Sequence, residues 1–85
     1  MKVVVTQEHI EKGDKGSPVS CPVALALNDA GMEGYYRVES RHLRTAIGKF
    51  PLPTEARQFI AKYDTHGGPV EPFEFELDLG IKNAS

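Results

Sequence analysis

The chain contains a single cysteine, Cys21, and no tryptophan. One thiol excludes an internal disulfide framework and suits a reducing cytosol. The predicted compartment is therefore the cytoplasm. The longest apolar run, Val23-Ala24-Leu25-Ala26-Leu27, falls far short of the ~20 residues a membrane helix needs, so no membrane partner is expected. Met1-Lys2 leads straight into Val3-Val4-Val5 and then the polar Thr6-Gln7-Glu8-His9, unlike the opening of a secretory signal. There is no Cys-x-x-Cys, no His-x-x-x-His and no Asp-x-Asp loop, so neither a metal nor a cofactor is expected.

What is present describes one small folded unit. Val, Ile, Leu and Phe supply 21 of the 85 residues, above the level at which chains stay disordered. A chain of this length buries only ~60–65% of its unfolded surface, which means one core. A single domain over residues 1–79 with a frayed tail at 80–85 is predicted. The net charge of −2 rules out polyanion binding by bulk electrostatics. Its distribution is uneven. Arg37, Arg41, Arg44 and Lys49 accompany one acid, Glu39, whereas Glu71, Glu74, Glu76 and Asp78 accompany no base. Both stretches fit solvated faces of amphipathic strands, and the basic one also fits an anion-binding patch.

Lys2 to Thr6 reads as a strand, apolar on both faces through Val3, Val4 and Val5, and hence central. Thr6 then caps a short helix, Gln7 to Lys12, that Gly13 closes in a left-handed conformation. After the loop Gly13-Asp14-Lys15-Gly16-Ser17-Pro18, a second helix starts near Ser20-Cys21-Pro22, with Ser20 as cap. It runs through Val23 to Ala30, apolar on nearly every side, until Gly31. Tyr35 to Glu39 and Leu43 to Ile47 form a hairpin across Ser40-Arg41. Phe50-Pro51-Leu52-Pro53 reads as a rigid connector. Thr54 caps a third helix with Ala56, Phe59, Ile60 and Tyr63 on one stripe, ended by Asp64-Thr65-His66-Gly67-Gly68-Pro69. Phe73 to Leu79 alternates apolar and acidic, as a half-buried strand does. The order β-α-α-β-β-α-β predicts an α+β fold: a mostly antiparallel four-stranded sheet with helices on one face, ferredoxin-like.

Three features carry chemistry. Cys21 at a helix start would be a nucleophile only with a base beside it, and none of His9, His42 and His66 is close in sequence. A buried small hydrophobe is the simpler role, and no catalytic set is predicted. Glu74, Glu76 and Asp78 point outward and guard a strand edge. Gly13-Asp14-Lys15-Gly16 resembles the Gly-x-x-Gly loop of KH domains, and the order β-α-α-β-β-α up to Tyr63 is also that of the eukaryotic-type KH fold. That resemblance implies a clamp on a nucleic-acid backbone. The hairpin ranks ahead of it: with Tyr36, Val38, Leu43 and Ile47 facing the core, Tyr35, Arg37, His42 and Arg44 share the outer side. Aromatic plus guanidinium suits stacking and bidentate phosphate contact. Val4 and Tyr35 would leave apolar surface on the helix-free face of the sheet, which predicts a homodimer.

Val5-Thr6-Gln7-Glu8-His9-Ile10 through Gly13, and Cys21-Pro22-Val23-Ala24-Leu25-Ala26-Leu27, resemble a group of small proteins encoded in tailed-phage genomes. Leu52-Pro53, Ala56, Phe59-Ile60 and Val70-Glu71-Pro72-Phe73-Glu74-Phe75 extend the resemblance over most of residues 3–77. It implies a phage or prophage source and transfers no functional residue. The expectation is a non-enzymatic accessory protein in the host cytoplasm. It would inhibit a host factor, such as a defence protein, or sequester a small anionic or nucleotide ligand. Nucleic-acid binding through Gly13–Gly16 is the alternative.

Overall fold

A computed structural model describes residues 1–66 and 70–77. Eight elements follow one another: β1 (Lys2–Val5), α1 (Gln7–Lys12), α2 (Pro22–Asp29), β2 (Tyr36–Val38), β3 (His42–Thr45), β4 (Gly48–Pro51), α3 (Thr54–His66) and β5 (Phe73–Glu76). The fold is α+β, but the four-stranded ferredoxin-like sheet is not formed. Two antiparallel sheets take its place, a ladder of β1 with β5 and a meander β2-β3-β4.

The difference arises at Gly48. Thr45-Ala46-Ile47-Gly48 is a tight turn in which Thr45 Oγ1 accepts from the Ile47 amide at 3.2 Å and donates to the Gly48 carbonyl at 3.1 Å. Gly48 sits at φ 143°, where a side chain would be strained. The chain therefore folds back, and the stretch from Phe50 that reads as a connector begins inside a strand. Pro51 is tolerated because β4 lies at the edge of its sheet. Ile47, expected in the core, is 71% exposed at the turn tip. The β2–β3 hairpin forms across Ser40-Arg41 as the pattern requires, with Val38 opposite Leu43.

β1 is an edge strand too, not a central one. Val3 and Val5 are fully buried while Val4 is 45% exposed, and β5 is its hydrogen-bonded partner, with Val3 opposite Phe75. Because β1 and β2 belong to separate sheets, Val4 and Tyr35 do not share the sheet face on which the homodimer was expected.

α2 fills the space between these parts. It packs against β1, α1 and β2, and Pro22, Val23, Ala24, Ala26 and Leu27 are buried. Its cap is Cys21 without a side-chain hydrogen bond, rather than Ser20, and Pro22 occupies the first turn. α3 closes the other side with buried Ala56, Phe59 and Ile60. Phe59 meets Phe73 at a ring-centroid distance of 4.8 Å, and Phe73 meets Phe75 at 5.6 Å, which docks α3 onto β5. Residues 67–69, Asp78, Leu79 and the tail at 80–85, which enter the expected helix end, last strand and frayed terminus, lie outside the described residues.

Leu27 is fully buried on the helix that touches both sheets. Leu27→Ala is expected to cost about 2–5 kcal/mol, read as a fall in the urea midpoint at unchanged slope. A loss below about 1 kcal/mol would show that α2 is not the centre of the core.

Candidate ligand-binding site

Three cations lie abreast on the meander. The register sets Arg37 opposite Arg44 and Arg44 opposite Lys49, and directly opposed residues of antiparallel strands share a face. The other face turns Val38 and Leu43 into the core. His42 stands one step along the outward face, opposite Pro51. Tyr35, just before β2, is 52% exposed and within electrostatic reach of the Arg44 guanidinium. The predicted site residues Tyr35, Arg37, His42 and Arg44 therefore flank one surface. Lys49 joins them because β4 exists.

The acid at this surface is Glu39. Arg44 Nε donates to Glu39 Oε2 at 3.0 Å, and that hydrogen bond holds the Glu39 carboxyl below its usual range, with Lys49 and His42 adding to the effect. Arg37 and Lys49 have no ion-pair partner among the described residues. Like charges directly opposite one another destabilise a sheet, so the row is an arrangement the fold tolerates rather than gains from. Tyr35 also borders an apolar cleft of about 340 Å³ that includes Met32, Ile47 and Phe50. Cationic row and apolar cleft thus meet at Tyr35.

The glycine loop is built differently. Gly13 is extended, at φ −72°, not left-handed, and it is glycine for lack of room: a Cβ there would lie 2.6 Å from Pro22 Cδ. Tyr63 Oη donates to the Gly13 carbonyl at 3.0 Å. The Gly16 amide donates to Asp64 Oδ1 at 3.1 Å, so a carboxylate already occupies the donor that a phosphate would use. Asp14 and Lys15 are exposed. Gly13→Ala is expected to destabilise the protein by about 1–3 kcal/mol through overpacking against Pro22, measured by denaturant unfolding. Unchanged stability with lost RNA binding would instead mark Gly13 as a clamp residue.

Cys21 is 6% exposed, and burial pushes its thiol up. His9 turns elsewhere. Its Nδ1 accepts from the Thr6 amide at 3.0 Å while Thr6 Oγ1 accepts from the His9 amide at 3.3 Å. Its Nε2 lies 2.6 Å from Asp29 Oδ2. Thr6 Oγ1 is also 3.2 Å from Nδ1, which sets hydroxyl, imidazole and carboxylate in a row. That nitrogen already takes a backbone N–H, however, so the trio is a helix cap tied to the end of α2. Asp29 was not legible as a partner, being 20 residues from His9. Ellman's reagent should modify Cys21 slowly in the native protein and promptly in denaturant. Prompt native reaction would restore a reactive thiol.

Among the described residues no three His, Cys, Asp or Glu side chains gather as metal ligands would, and no helix is long and apolar enough to cross a membrane. No family model, curated protein or solved structure in the comparisons matches this chain.

Proposed function

We propose that the chain is a non-enzymatic binding protein that takes a small anionic ligand, of nucleotide type, on the outward face of β2-β3-β4. The observation that carries this reading is the register Arg37–Arg44–Lys49. Guanidinium groups in a row offer bidentate donors to phosphoryl oxygens. Tyr35 and the neighbouring cleft offer a base an aromatic and apolar surface. The likeness to small tailed-phage proteins supports an accessory role in a host cell, by sequestering such a ligand or by occupying an anionic surface of a host protein. The Gly13–Gly16 alternative has less support, since Asp64, Tyr63 and Pro22 engage that loop.

Thermal unfolding with nucleoside mono- and triphosphates, cyclic nucleotides and a short RNA tests this reading. A ligand at about 100 times its dissociation constant adds ~2.7 kcal/mol, a rise of roughly 10–20 °C for a domain this small. The rise is expected with a nucleotide and is expected to vanish in Arg37→Ala/Arg44→Ala. A rise that persists in that variant, or no rise with any nucleotide, contradicts the reading.

A further inference from the structure

A second basic surface lies around the hairpin turn, between Ser40-Arg41 and the first turns of α3. It is an open groove of about 630 Å³ lined by Ser40, Arg41, Thr54, Arg57, Gln58 and Ala61. Its polar side chains are two guanidiniums, two hydroxyls and one carboxamide, with no carboxylate. Three bases elsewhere are paired: Lys2, Lys12 and Arg44 hold Glu74, Glu8 and Glu39 at 3.4, 2.8 and 3.0 Å. Arg41 and Arg57 hold no acid among the described residues. The polar contact that Arg57 makes is with Thr54, to whose Oγ1 its Nη2 donates at 3.2 Å.

The two arginines are anchored to the same short stretch of chain. The Leu52 amide donates to the Arg41 carbonyl at 3.0 Å, and the Arg57 amide donates to the Pro53 carbonyl at 3.0 Å. Leu52 itself is 3% exposed, so the turn and the helix are pinned to the core through adjacent residues. These bonds fix the backbone positions of the two arginines relative to each other before any ligand arrives, so binding has only the side chains left to order. Ser40 lines both this groove and the neighbouring cavity that Arg37 borders. The groove therefore neighbours the Arg37 end of the surface proposed above, with Glu39 and Asp64 also lining the cavity between.

We infer that this groove is a second phosphoryl subsite, with Arg41 and Arg57 as its charged donors and Thr54 and Ser40 as neutral ones. Resting on the reading that the sheet face takes one phosphoryl group, it assigns the ligand class: a nucleotide ligand carrying at least two phosphoryl groups, one for each surface. The source of that chemistry is a free dinucleotide or a stretch of polynucleotide backbone.

Calorimetric titration with 5′-AMP, with the dinucleotide pApA and with a 12-nucleotide RNA, at fixed ionic strength, tests the subsite. The wild type is expected to bind pApA about tenfold or more tighter than AMP, because the second contact is intramolecular. Arg41→Ala/Arg57→Ala is expected to lose that gain while keeping its AMP affinity and melting temperature. Equal pApA affinity in wild type and this variant, with AMP still bound, overturns the subsite and leaves the sheet-face reading standing. AMP binding lost in Arg41→Ala/Arg57→Ala but kept in Arg37→Ala/Arg44→Ala overturns the sheet face and keeps the groove as a phosphoryl site. Absence of AMP and pApA binding in the wild type overturns both. RNA that depends on Arg41 and Arg57 and outcompetes pApA supports the subsite with polynucleotide as the source, and pApA binding without RNA binding supports it with a free dinucleotide.

Discussion

The rest of the structure depends on the burial of α2. A helix apolar on nearly every side cannot lie on a surface, so the other elements must enclose it. β1 and α1 cover it on one flank and β2 reaches it on another. Tyr36 adds a polar tie, its hydroxyl donating to the Ala24 carbonyl at 3.3 Å. Asp29 at the helix end holds His9 of α1 at 2.6 Å. With one buried helix at the centre, two small sheets can each contribute one face to the core without joining each other.

That arrangement decides what the meander can do. A sheet sharing hydrogen bonds with β1 would have had its edge fixed by that strand. Instead β2-β3-β4 turns Val38 and Leu43 inward and leaves its outward face to Arg37, Arg44 and Lys49. The acidic strand β5 lies in the other sheet, with Glu74 opposite Val4 and Glu76 opposite Lys2. A chain of net charge −2 thus carries a local concentration of positive charge, with Glu39 as the acid drawn into it. Exposed cations within one Debye length, ~8 Å at physiological salt, add their fields, which makes this face locally positive despite the overall sign.

Much of the local structure was legible in the sequence, because burial periodicity reports it directly. The stripe Ala56, Phe59, Ile60 marked α3, the alternation from Phe73 marked β5, and Thr6 marked the start of α1. The way the strands assemble was not legible, since β-pairing is settled between residues far apart in the chain. β4 was missed because Lys49, Phe50 and Pro51 show no alternation long enough to read as a strand. The signal that was there is the turn Thr45-Ala46-Ile47-Gly48, with a glycine closing four residues. Reading it would have set Lys49 beside Arg44. Tyr35, Arg37, His42 and Arg44 were placed on one side by alternation alone. Arg57 could not be joined to Arg41, because only the tertiary fold brings α3 to the hairpin turn. Gly13 looked like the first glycine of a loop that clamps a nucleic-acid backbone, whereas contact with Pro22, nine residues on, is what excludes a side chain there.

The central claim is that the outward face of the meander is where an anion binds. Amide ¹⁵N–¹H correlation spectra recorded during titration with 5′-AMP address it residue by residue. The account predicts shifts concentrated at Tyr35, Arg37, Arg44 and Lys49. Shifts confined to Asp14–Gly16, or to the groove that Gln58, Lys62, Val70 and Glu71 line, would contradict it.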